Sequence, residues 1–146
     1  MTAAKLYIKQ GETQKAVEQL EETLRLFPES AEAHFLLAKL LAAEGRYPEM
    51  VTHLGRSADL SPQYHGEIEK TRRHFWAREY NAGVGFAQEQ GADLDQALRA
   101  FGNATMIDED DLRAWRNLAY VYYQSDSTNA AIDTYQRIVS LDAQDG

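Results

Sequence analysis

The sequence predicts an all-α chain built from antiparallel helix pairs stacked side by side. Apolar residues recur at three- and four-residue steps over segments of ten residues or more, the spacing of one helix face. Short polar or glycine- and proline-bearing breaks divide these segments into pairs. The pattern also repeats, since Pro62 follows Pro28 at the same interval at which Ala131 follows Ala97. One helical pair cannot bury its apolar stripe alone, so repeated pairs imply a stack.

The clearest pair is the last one. Trp115, Leu118 and Tyr122 form a stripe on one helix, and Ile132, Tyr135, Ile138 and Val139 form another on its partner. Between them Gln124-Ser125-Asp126-Ser127-Thr128-Asn129 is a polar run rich in turn and N-cap residues. Ala119 and Ala131 are small where the two helices must come close.

In chain order, residues 2–10 and 12–27 form the first pair, divided at Gln10-Gly11, with Ala4, Tyr7, Ala16 and Leu20 facing inward. Pro28 follows the second helix and stops it. Residues 31–62 form the second pair. His34, Leu37, Ala38 and Leu41 make its first stripe, Gly45 ends that helix, and Pro48 falls in the opening turn of the next. Met50, Leu54, Ser57 and Pro62 complete the pair.

The third pair is longer than the others. The step from Met50 to Ala97 exceeds the repeat interval by thirteen positions. Aligning Phe86 with Tyr7, Leu41 and Tyr122 places two of these in the turn Gly91-Ala92-Asp93 and the other eleven between Pro62 and Phe86. Tyr64, Ile68, Thr71 or Arg72, and Phe75 step by three and four, and no proline interrupts residues 63–90. One long helix is predicted, with the insertion adding about 16 Å. Gly66, Gly83 and Gly85 weaken it, although Gly83 aligns with Ala38 and Ala119 at a close helix contact. Residues 93–107 supply the second helix, with Leu94, Ala97, Leu98, Phe101, Ala104 and Ile107 inward. Asp108-Glu109-Asp110-Asp111 reads as a turn whose carboxylates cap the next helix. The last pair runs over 112–141, and residues 142–146 trail off.

Trp115-x2-Leu118-Ala119-x2-Tyr122, then Ala131-x3-Tyr135, with Ala143 in place of a proline, resembles the tetratricopeptide repeat. The resemblance covers nearly the whole chain. It implies a right-handed α-α superhelix formed as one domain over residues 1–146, with repeats at about 1–28, 31–62, 63–109 and 112–143 and an elongated first helix in the third. It also implies a non-catalytic scaffold that holds a peptide or partner segment in a concave groove lined by the first helix of each pair. On that resemblance the groove residues are Glu32, Phe35 and Lys39 in the second repeat. In the third they are Ala77, Tyr80, Val84 and Gln88, and in the fourth Arg113, Arg116, Asn117, Tyr120 and Tyr123. Arg113 and Asn117 match part of the carboxylate clamp of chaperone-binding relatives. That clamp's first-repeat positions reach only Met1, Lys5 and Lys9 here, so the match does not extend to chaperone tails. The chain begins inside a helical pattern and reads as a piece of a longer protein.

Composition narrows the function classes. A formal charge of −8 disfavours binding to phosphate backbones. Zero cysteines exclude disulfides and thiolate chemistry and favour a cytoplasmic setting. No run is long and apolar enough for membrane insertion, and the N-terminus lacks the apolar centre of a signal peptide. His34, His53, His65 and His74 have no local metal-ligand spacing, and no cofactor motif stands: Gly83-Val84-Gly85 has Gln88 where a dinucleotide loop needs its third glycine, and no strand precedes it. Asn103-Ala104-Thr105 is a mid-helix sequon. Lys70, Arg72, Arg73, His74 and Arg78 alternate with Glu67, Glu69 and Glu79 and read as a solvated face rather than a nucleic-acid site. An enzyme is not expected. The alternative to a groove-binding scaffold is an assembly module that self-associates, as a homodimer for instance, through the long helix or uncapped terminal helices such as that bearing Ile132 and Val139.

Overall fold

The computed structural model describes residues 2–88 and 93–145; the turn residues Gly91 and Ala92 lie outside these. Among the described residues there is no strand, and the helices are α1 (Thr2–Gln10), α2 (Thr13–Leu26), α3 (Ala31–Ala43), α4 (Tyr47–Leu60), α5 (His65–Gln88), α6 (Leu94–Ile107), α7 (Leu112–Gln124) and α8 (Thr128–Asp145). A short 3-10 turn, Pro62–Tyr64, precedes α5. The chain divides into two compact units, Met1–Thr71 and Arg72–Gly146.

In the first unit the breaks are local chemistry. Gly11 and Gly45 take φ of +74° and +75°, a conformation that side chains rarely adopt, and each ends a helix. Ser30 starts α3 by accepting from the Ala33 amide at 3.2 Å, and Pro48 occupies the first turn of α4, where its missing N–H costs little. Ala4, Val17, Leu20, Ala33, Leu37 and Leu41 bury one apolar cluster shared by α1, α2 and α3. Each fully buried leucine contributes roughly 1.5–3 kcal/mol. Tyr47, Met50 and Leu54 bury the inner face of α4, and the Ser57 hydroxyl donates to the Ala31 carbonyl at 2.9 Å.

The second unit is organised around Ala97, Phe101, Leu118 and Val121, with Tyr80, Val84, Leu98, Trp115 and Tyr122 closing over them. Asp93 caps α6 by accepting from the Gln96 amide at 3.0 Å. The insertion is helix, as the uninterrupted three-four pattern predicts: α5 runs for 24 residues, about 36 Å. Its phase differs by one residue from the predicted stripe. Ile68 is buried as expected, but Trp76 rather than Phe75 turns inward. Ile68, Arg72 and Trp76 step by four, and a face read at that step reaches Trp76.

The last helix departs from expectation twice. It continues to Asp145 instead of ending near 141, because Ala143 is a strong helix former where a proline would have stopped it. Its stripe of Ile132, Tyr135 and Val139 is solvent-exposed, while Ala131, Thr134 and Leu141 are the buried positions.

Candidate functional site

The densest arrangement of predicted groove residues lies in the second unit, where α5 meets α7. It starts from a helix cap. Asp111 has extended backbone and accepts from the Arg113 amide at 3.0 Å, which opens α7. The same carboxylate turns back on the Arg113 side chain, taking Nε at 3.0 Å and Nη2 at 2.6 Å. This two-point contact fixes the plane of the guanidinium and leaves Nη1 outside the pair. Arg113 holds Asp111 below the usual carboxylate range, and Asp111 raises Arg113 in return, so both stay charged.

The fixed guanidinium lies over the Trp76 ring, 4.4 Å from its centroid, and 6.0 Å from that of Tyr80. A cation on an aromatic face gains roughly 0.5–1 kcal/mol at an exposed site. Trp76 and Tyr80, one turn apart on α5, stack at 4.8 Å with their planes 12° apart, and Tyr80 meets Phe101 edge-on at 5.8 Å. Asn117 donates to the Tyr80 hydroxyl at 3.2 Å and to the Arg113 carbonyl at 2.9 Å. The Arg113 guanidinium is therefore held by Asp111 and laid on Trp76, while Asn117 ties the Arg113 backbone to Tyr80.

Of the predicted residues, the structure brings Tyr80, Arg113 and Asn117 together. Val84 is half-buried and belongs to the core around Phe101. Ala77 is half-buried and Gln88 exposed. Arg116 is exposed, as are Tyr120 and Tyr123, and the Tyr120 hydroxyl accepts from Gln124 at 2.7 Å. The resulting surface offers one braced and one exposed cation beside tyrosines with one apolar body and one polar tip each. Trp76 was not among the predicted groove residues. Its spacing of four from Tyr80 was the available signal, and the basic residues around it masked it.

In the first unit, Glu32 on α3 pairs with Lys5 on α1 at 2.5 Å. Phe35 is buried, stacked on Tyr64 at 5.4 Å, and Lys39 extends over its ring at 5.5 Å. Lys39 is the exposed member of the three.

A second polar cluster joins α3 to α4. His34 Nε2 lies 3.0 Å from the Pro28 carbonyl, and His34 Nδ1 lies 2.8 Å from His53 Nδ1. A carbonyl only accepts, so His34 carries its proton on Nε2 and its Nδ1 accepts from the His53 Nδ1–H. With the ring centroids 5.0 Å apart, the two nitrogens sit almost on the line between the rings. That is hydrogen-bond geometry; two ligands to one ion would turn their lone pairs to a point off that line. Burial, then the neighbouring His34, pushes His53 below its ordinary value, with Glu49 opposing and Arg46 reinforcing. Among the described residues no group of three histidines or carboxylates is placed to hold a metal ion, and no helix is long and apolar enough to cross a membrane.

Two family profiles described as tetratricopeptide repeat match the chain, over residues 1–65 and 87–146. No curated protein matches it by sequence. Similar solved structures include one titled "Crystal structure of MamA", 18% identical over 97% of this chain and 75% of that one, with a TM-score of 0.42. Another is "MamA 41-end from Desulfovibrio magneticus RS-1", 16% identical over 98% of this chain and 93% of that one, with a TM-score of 0.43.

Proposed function

The chain belongs to the tetratricopeptide repeat family, generally a non-catalytic protein-interaction module, and from that premise we propose that it binds a peptide or partner segment on the α5–α7 surface of its second unit. The contact residues are Tyr80, Arg113, Arg116, Asn117, Tyr120 and Tyr123, with Glu32 and Lys39 of the first unit as a separate contact surface; Val84, packed into the core, and Phe35, buried beneath Lys39, support them from within. One observation supports this above the others. Arg113 is held by Asp111 and laid over Trp76, so it loses little freedom when a carboxylate reaches it. The ligand that suits this surface is an extended segment pairing an acidic group with an aromatic or aliphatic side chain. A random-sequence peptide selection on the immobilised chain tests the reading. Selected peptides are expected to carry that pairing and to lose binding when Arg113, Arg116 and Tyr120 are all replaced by alanine. Peptides that bind the triple variant as well as the parent would move the site elsewhere.

A second reading, self-association through an uncapped terminal helix, is favoured by the exposed apolar face of α8.

A further inference from the structure

The exposed face of α8 corresponds, position by position, to faces that are covered elsewhere in the chain. Tyr135 follows Phe101 by one repeat interval, and Leu54 follows Leu20 by the same step. Phe101, Leu54 and Leu20 are at most 1% exposed, whereas Tyr135 is 48% exposed. Val139 likewise comes one repeat after the buried Thr105 and is 69% exposed. For Leu20 and Phe101 the cover is the first helix of the following pair: α3 closes over Leu20 with Leu37 and Leu41, and α7 closes over Phe101 with Leu118 and Val121.

The first helix carries the other half of the same contact. Ala3, Leu6 and Tyr7 precede Leu37, Leu40 and Leu41, the face that α3 turns to α2, by that same interval. On α1 the corresponding face is uncovered enough to leave Leu6 52% exposed. The charges also suit each other. Helix α1 carries Lys9 besides the Lys5 that pairs with Glu32, and no acidic residue, and α8 carries Asp133 and Asp142 against one basic residue, Arg137.

We infer that α8 of one copy seats α1 of a second copy, Ile132, Tyr135 and Val139 receiving Ala3, Leu6 and Tyr7, so that copies join head to tail by repeating the α2–α3 and α6–α7 contact. This rests on the self-association reading above and names its two surfaces. A nine-residue helix spans only about 13 Å. The contact is therefore smaller than a standard interface, and like net charges on the copies oppose it, so the association is weak and reversible. Because the two surfaces differ, the contact is heterologous and leaves both ends of a dimer open.

Sedimentation velocity over about ten micromolar to one millimolar tests it, in a range where weak contacts report. The parent chain is expected to grow in mean mass with concentration. Leu6→Glu and Tyr135→Glu are each expected to stay monomeric, and their equimolar mixture to form a 1:1 pair that grows no further, since only one working contact remains. Val139→Glu repeats the α8 arm should Tyr135→Glu lose its helical circular dichroism. The Arg113, Arg116 and Tyr120 alanine variant is expected to associate like the parent. A Leu6→Glu chain that still associates overturns the assignment of α1 while leaving self-association standing. A parent chain that stays monomeric throughout overturns both.

Discussion

A methyl group placed on Gly83 would lie 2.8 Å from the ring of Phe101. That ring is 1% exposed and sits at the centre of the second unit, so it has nowhere to move. Two helices approach closely here because one of them has no side chain. Gly83→Ala gains about 1 kcal/mol of helix propensity but loses about 1–3 kcal/mol to overpacking, and the net effect is expected to be destabilising. Gly85, with nothing within 4 Å of its added carbon, lacks the second term. Gly85→Ala is expected to stabilise by up to about 1 kcal/mol. Urea denaturation midpoints of the two variants should move in opposite directions.

The burial of His53 beside His34 predicts a pH dependence with a definite sign. His53 is pushed below its ordinary value of 6.5, so the unfolded chain takes up a proton more readily than the folded one. Its contribution is complete above the ordinary histidine range and is lost as pH falls toward the lower folded value. Glu49, kept charged by Arg46, offsets part of the loss, and Arg56 and Asp59 border the same face. Stability is expected to fall as pH drops through the ordinary histidine value of 6.5, by less than the ceiling of about 1.4 kcal/mol per pH unit for one proton. His53→Gln should flatten that slope in thermal melts across the range.

Asp111 does two jobs, capping α7 and orienting Arg113. Asparagine is a comparable N-cap, and an exposed ion pair contributes only about 0–1 kcal/mol. Asp111→Asn is therefore expected to change the melting temperature little and yet weaken peptide binding several-fold, because the guanidinium is no longer held over Trp76. Melting and binding measured on one preparation would separate the two roles.

Much of the fold was legible because its signals are local. Gly11 and Gly45 end helices by a conformation that glycine adopts freely, Asp111 caps by its own side chain, and the absence of proline over residues 63–90 lets α5 run on. What the residues alone did not reveal depends on partners. Phe75 and Trp76 are neighbours at the edge of one helical face, and Trp76 is the one that stacks on Tyr80 and receives the guanidinium from α7. His34 and His53 are 19 residues apart and meet because α3 and α4 lie side by side. Periodicity located a stripe on α8, but periodicity cannot say whether another helix covers it. The groove residues divide in the same way: Arg113 and Asn117 stand together with Tyr80, whereas Phe35 and Val84 are committed to packing.

The most direct test of the interaction surface is the affinity of one selected peptide, titrated calorimetrically into the parent chain and into the Arg113, Arg116 and Tyr120 alanine variant. The variant should keep its helical circular dichroism and bind at least tenfold more weakly, a loss of about 1.4 kcal/mol or more. Equal affinity on an equally folded variant would contradict the assignment of partner binding to the α5–α7 surface.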